Sequence, residues 1–244
     1  MAMYIMNKMD ANQEILSFLK NNQEEAYRHF ASSLIPGGKQ MYGVRIPLQR
    51  KIAKTIALGD WRDYLENAKD DSFEEVNIQG FVLAYAKGSF GDKEPYIRKF
   101  IEKIADWSVC DGFCATLKQV KEEQTVWWEF LWQCSNSDQE YIKRFALVMW
   151  LWYFNEEAYV EQIVDRITKI NLTGYYDKMA AAWCLAEVAT KRGDLILQLL
   201  TKKSLDPFVH QKCIQKICES NKVSIEQKEQ MKAHRLNKKF TKIL

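Results

Sequence analysis

Residues 127–132 read WWEFLW. Five of these six side chains are large and apolar, and nothing in the stretch alternates as a half-buried strand would. A helix here is apolar on more than one side, so neighbours must cover it on more than one side. A stack of helix pairs buries helices in that way.

The surrounding sequence supports helices throughout. Apolar residues recur at helical spacing, as at Ile97, Phe100, Ile101 and Ile104. Helix starts are marked by Ser72 with Glu75, Ser137 with Glu140, and Ser224 with Gln227, each spaced as a capping box. Asp206-Pro207 sets a cap residue before a proline suited to the first helical position, and Pro47 does the same after a turn at Gly43. Only 4 Pro and 10 Gly interrupt 244 residues, which again favours helix. These signals predict roughly fourteen helices, near 11–22, 24–35, 47–57, 61–68, 73–87, 93–104, 108–120, 124–134, 138–153, 156–168, 174–191, 193–202, 207–219 and 224–235. Short connections make neighbours antiparallel, and a repeat of about 40 residues lies in the range of HEAT-type pairs. The expected fold class is all-α, a solenoid of antiparallel HEAT-like helix pairs. It forms one domain over 1–244, with IPGGK at 35–39 as a loop inside the fold.

Composition narrows the classes of function. The net charge is +3, yet Lys232, Arg235, Lys238, Lys239 and Lys242 all follow Met231 in a tail without acids. The remaining 30 basic residues face 32 acidic ones, so the body carries −2. A nucleic-acid surface would therefore be a local patch and not a global excess. Six cysteines without a C-x-x-C pair, and three scattered histidines, point to reduced core thiols and no metal site. MAMYIMNKMD has no sustained apolar region, and the apolar run Phe145–Phe154 is too short to span a bilayer. A soluble, cytoplasmic monomer without cofactor or membrane attachment is expected.

Chemistry concentrates where polar or exposed-type residues interrupt apolar helices. In ADWSVCD at 105–111, Trp107 and Asp111 lie one helical turn apart on one face. Arg144 precedes an apolar run, and Trp183 follows three alanines, Ala180 to Ala182, that would leave its indole room. The gaps from Trp107 to Arg144 and from Arg144 to Trp183 are 37 and 39 residues, about one repeat each. Equivalent positions of successive repeats face the same side of a solenoid, so the four can line one groove. Taken singly, each has an ordinary structural role: Trp183 in the core, Arg144 as a snorkelling surface residue or in a helix–helix ion pair, Asp111 capping a helix from Gly112. Arg45, Arg50, Lys51 and Lys54 crowd the helix after GVRIP, and Lys118 and Lys121 follow Asp111.

The combination resembles the DNA alkylation repair family of HEAT-like DNA glycosylases. YGVRIPLQRKIAK at 42–54, W-x-x-x-D at 107–111, KRFALV at 143–148 and AAAWCLAEVA at 180–189 carry the resemblance, and LDPFVHQKCIQKICES at 205–220 is similar to the family's closing repeat. Asp106 departs from the family pattern, which tends to carry a second aromatic there. The resemblance implies a curved α-solenoid whose concave face cradles duplex DNA containing N3- or N7-alkylated purines. The resemblance further implies that the N-glycosidic bond is hydrolysed without the lesion entering a tight pocket. It also implies Asp111, Trp107 and Trp183 as catalytic residues and Arg144 on the DNA; from the crowding of basic residues in the sequence, Arg45, Lys51 and Lys118 are expected as further DNA contacts. An alkylated purine is cationic and leaves without protonation. One carboxylate can then stabilise the sugar cation that remains, indoles offer it their faces, and an arginine can hold a phosphate in register. A catalytically silent nucleic-acid-binding or protein-interaction scaffold is the alternative.

Overall fold

The structure is a computed structural model that describes residues 11–35 and 38–236. Lys238, Lys239 and Lys242 of the basic tail lie outside the described residues. Among those described, fourteen α-helices and one short 3-10 helix account for the regular structure, and the only sheet-like pairing is an isolated bridge between Gln40 and Ser72. The protein is all-α. The chain divides into two compact units, Met1–Gln119 and Val120–Leu244.

The first unit holds α1 (Ala11–Asn21), α2 (Glu25–Leu34), α3 (Ile46–Ala57), α4 (Trp61–Asn67), α5 (Phe73–Tyr85), α6 (Phe90–Lys103) and α7 (Trp107–Thr116). Its centre is α5, packed between α3 and α7 with α4 and α6 against it. Every residue of α5 except Tyr85 is buried, including Glu74, Glu75, Asn77 and Gln79. Burial of so many polar groups is tolerable only if each is hydrogen-bonded, and each is. Glu75 closes the capping box with Ser72. Asn77 donates to Gln49 Oε1 at 2.7 Å, and Gln79 donates to the Lys69 carbonyl at 2.8 Å.

Glu74 organises the YGVRIP stretch. Its carboxylate accepts from the backbone N–H of Tyr42 at 3.0 Å, Gly43 at 2.7 Å and Val44 at 3.1 Å. Gly43 adopts φ +85, and a Cβ there would sit 2.6 Å from the Glu24 carbonyl oxygen, so only glycine fits this turn. Pro47 then lies in the first turn of α3. Glu74→Ala strands at least two buried donors, each worth about 1–3 kcal/mol when orphaned. The variant is expected to lose about 2 kcal/mol or more of stability, read as a lower denaturant midpoint at unchanged slope.

The second unit begins within a 3-10 helix, Lys118–Lys121, and continues with α8 (Gln124–Cys134), α9 (Glu140–Tyr153), α10 (Glu157–Lys169), α11 (Tyr175–Ala189), α12 (Gly193–Lys202), α13 (Pro207–Glu219) and α14 (Ile225–Lys232). Here α11 is central, packed between α9 and α13, while α8 lies on α9 and α14 touches α12 and α13. WWEFLW forms most of α8. Trp127, Phe130 and Leu131 are buried. Trp128 meets Trp150 at 5.6 Å, Phe154 at 5.5 Å and Tyr159 at 4.8 Å between ring centroids. The helix is thus covered from several sides, as its composition requires.

Three local expectations need correction. Ser137 and Glu140 form no capping box: α9 starts at Glu140 after an uncapped Gln139, because the Glu140 carboxylate instead accepts the backbone N–H of Tyr176. The helix expected over 108–120 stops at Thr116 and resumes as the 3-10 turn. The helix expected from 93 starts at Phe90, because Ser89 and Asp92 make a capping box and Pro95 is accommodated inside α6.

Candidate functional site

Trp107 and Asp111 both belong to α7. Asp106, the departure from the family pattern, is the N-cap of this helix: its side chain accepts from Val109 N at 2.9 Å. Trp107 is therefore the first helical residue. Its Nε1 donates to the Leu34 carbonyl at 3.2 Å, in the last turn of α2, where carbonyls lack helical partners. That bond fixes the indole. Val109, Cys110, Phe113 and Cys114 are buried, whereas Trp107 and Asp111 are half-buried on a shared, more open face. Asp111 lies within the helix, so the capping role considered for it is excluded by the position of Asp106.

Arg45, the N-cap of α3, and Arg50 within it are both engaged. The Arg45 Nε donates to Glu24 Oε1 at 2.8 Å and its Nη2 to Glu24 Oε2 at 2.9 Å, with the guanidinium 4.9 Å from the Tyr27 ring centroid. The Glu24 hydrogen bond raises the arginine pKa further and lowers that of the glutamate. Such an exposed pair is weak and exchanges readily. Arg50 donates to Tyr85 Oη at 3.0 Å and Thr116 Oγ1 at 2.8 Å, and lies over Phe81. Lys51 and Lys118 are exposed.

In the second unit, α9 clamps the start of α11. Arg144 is only 6% exposed, and its Nη1 donates to the Tyr176 carbonyl at 2.9 Å. Lys143 pairs with Asp177 at 3.0 Å, with both side chains buried, and donates to the Asn171 carbonyl at 2.6 Å. Asp177 in turn accepts from Thr173 N at 3.2 Å and Gly174 N at 3.1 Å. The sequence expectation placed Arg144 on a phosphate; the structure gives its guanidinium a partner inside the protein, because α11 begins directly against it.

Trp183 lies two turns along α11, half-buried, with its ring centroid 6.5 Å from that of Trp152 at an interplanar angle of 79°. Ala180, Ala181 and Ala182 are fully buried. Their small size serves the close packing of α11 between α9 and α13 rather than making room for the indole. Trp183 and Trp152 line a cavity of about 700 Å³ with Asn155, Glu187 and lysines. Trp152 escaped the sequence reading because it sits in the apolar run Phe145–Phe154, yet it is 50% exposed. Burial pushes the Cys184 thiol up, and that of Cys213 up to about 12, so neither is a nucleophile at neutral pH. Among the described residues no group of three or more His, Cys, Asp or Glu side chains could hold a metal, and no helix is long and apolar enough to cross a membrane.

No curated protein and no solved structure matches the chain. A family model described as DNA alkylation repair enzyme matches residues 15–217, a span that contains Trp107, Asp111, Arg144 and Trp183. The chain, with its capped tryptophan–aspartate helix, belongs to the DNA alkylation repair enzyme family.

Proposed function

We propose that the protein is a DNA glycosylase that releases cationic N3- and N7-alkylated purines from duplex DNA. The observation that carries this reading is the placement of Trp107 and Asp111 one turn apart on the open face of α7, in a chain of a DNA alkylation repair family. The fold would be a solenoid of antiparallel HEAT-like helix pairs, with duplex DNA as its partner. Asp111 stabilises the developing deoxyribose cation and orients the attacking water. Trp107 and Trp183 offer polarisable faces to the sugar and the positive charge. No cofactor or metal enters the reaction, and a monomer in the cytoplasm suffices for it.

Lys51 and Lys118, both exposed, serve as phosphate contacts, with Arg45 joining once it leaves Glu24. Each of Lys51→Ala and Lys118→Ala is expected to reduce the salt slope of duplex binding by about 0.9, one phosphate's worth. Arg144 acts by holding α11, the helix that carries Trp183. Arg144→Ala should therefore lower the denaturation midpoint and leave the salt slope unchanged. A slope reduced by about 0.9 would move its guanidinium onto a phosphate.

Incubation with methylated duplex DNA, followed by chromatography of the released bases, tests the activity. Free N3-methyladenine or N7-methylguanine is the expected product. Duplex binding without any released base would favour a silent nucleic-acid-binding protein, and absence of both would favour a protein-interaction scaffold.

A further inference from the structure

From Ile142 to Tyr153 every residue of α9 is buried except Trp152, which leaves half of its surface in water. Its ring partner among the described residues is Trp183, met edge to face with centroids 6.5 Å apart and planes at 79°. That separation and near-perpendicular setting are the favourable ones for two aromatic rings. The two indoles of the proposed site are held by different means. Trp107 is anchored through Nε1 on the Leu34 carbonyl. Trp183 makes no hydrogen bond among the described residues, so no polar contact fixes its plane. The backbones beneath the ring pair are fastened to each other. Asn155, three residues beyond Trp152, donates through Nδ2 to the Glu187 carbonyl at 3.1 Å, and Glu187 lies one turn beyond Trp183. Lys191 donates to the Asn155 carbonyl. At the other end, Arg144 and Lys143 of α9 hold the start of α11. With the two helices tied on either side of the pair, the freedom left to the Trp183 indole is rotation about its own side-chain bonds, and the edge contact with Trp152 opposes it.

We propose that Trp152 is a positioning residue for base release: its ring holds the Trp183 indole in the orientation that presents a face to the cationic sugar and base. This inference rests on the reading of Trp183 as part of a glycosylase site. Orientation matters because an aromatic ring is negative over its face and positive at its edge. A cation is attracted only when it lies over the face, so an indole free to turn loses most of its effect. Holding the ring before the charge develops avoids that loss. Trp152 acts through Trp183 and needs no contact of its own with the substrate.

The test uses the full chain and two independent readouts. The first is a double-mutant cycle on single-turnover release of N7-methylguanine. Trp152→Ala is expected to slow release about fivefold, the order of effect of one edge-to-face ring pair, while Trp152→Phe, which keeps a ring, stays close to the wild type. In a Trp183→Ala background Trp152→Ala should cost nothing further, because residues that act through one another are not additive. Affinity for undamaged duplex should be unchanged. A full further loss in the Trp183→Ala background, or weakened duplex binding, would make Trp152 a DNA contact in its own right and overturn the assignment. The second readout is fluorine relaxation in protein labelled with 5-fluorotryptophan, with Trp183 picked out of the eight tryptophans by the signal that Trp183→Phe removes. The Trp183 fluorine should relax with the body of the protein in the wild type and in Trp152→Phe, and more slowly in Trp152→Ala, where the ring is freed. Identical relaxation in all three would overturn the assignment whatever the activity. A wild type that releases no base would remove the glycosylase reading, and the relaxation would still decide whether Trp152 holds Trp183.

Discussion

Asp111→Asn is expected to fold like the wild type and to release alkylated purine about 10²–10³-fold more slowly, the usual cost of removing one preorganised electrostatic group. The substitution keeps shape and size and removes only the charge. Asp111 is half-buried on the open face of α7, well clear of the Asp106 cap, so the helix keeps its N-terminal hydrogen bond. Binding to undamaged duplex should stay level or rise slightly, because one negative charge near phosphates disappears. The measurement is single-turnover release from a duplex carrying one N7-methylguanine, with circular dichroism as the check on folding. Normal release by a folded Asp111→Asn protein would place the cation-stabilising group elsewhere.

The second large effect concerns stability. Lys143→Met leaves the Asp177 carboxylate, buried at 0% exposure, without its cation. Breaking a buried pair from one side typically costs about 3–5 kcal/mol. The loss should appear as a lower denaturant midpoint for unfolding. Lys143→Met combined with Asp177→Leu should recover part of it, since the uncompensated charge is then gone, although the hydrogen bonds from Thr173 and Gly174 to Asp177 are lost as well. Lys143→Met should also slow base release, because α11 carries Trp183. A midpoint unchanged from the wild type would mean that Glu140 and Arg144 hold the start of α11 without help from the pair.

These two residues show what the sequence made legible. The helices were readable because their signals are local: Ser72 caps Glu75, Ser224 caps Gln227, and Asp206 caps α13 ahead of Pro207. Trp107 and Asp111 were readable for the same reason, since a four-residue spacing on a helix fixes a shared face. Lys143 and Asp177 were not, because their partnership spans two helices and nothing in either segment announces it. The same holds for Glu74, whose carboxylate gathers three amides from a turn about thirty residues away. Ser137 and Glu140 had the spacing of a cap, but a stronger partner, the free Tyr176 N–H at the start of α11, claimed the glutamate. Arg144 followed the same pattern: its type suggested a phosphate, and the adjacent helix terminus supplied a carbonyl. Trp152 was hidden by its neighbours, since a helix in a layered stack can be buried along most of its length and still turn one residue outward.

In the proposed reaction a single carboxylate on α7, that of Asp111, serves a base that departs as a cation. Side-by-side release rates from two duplexes test it most directly, one carrying N7-methylguanine and the other O6-methylguanine, which is alkylated but neutral. Release of the cationic base and none of the neutral one is expected, because the proposed site has no general acid to protonate a neutral leaving base. Comparable release of both would contradict it, since a general acid would then have to be part of the site.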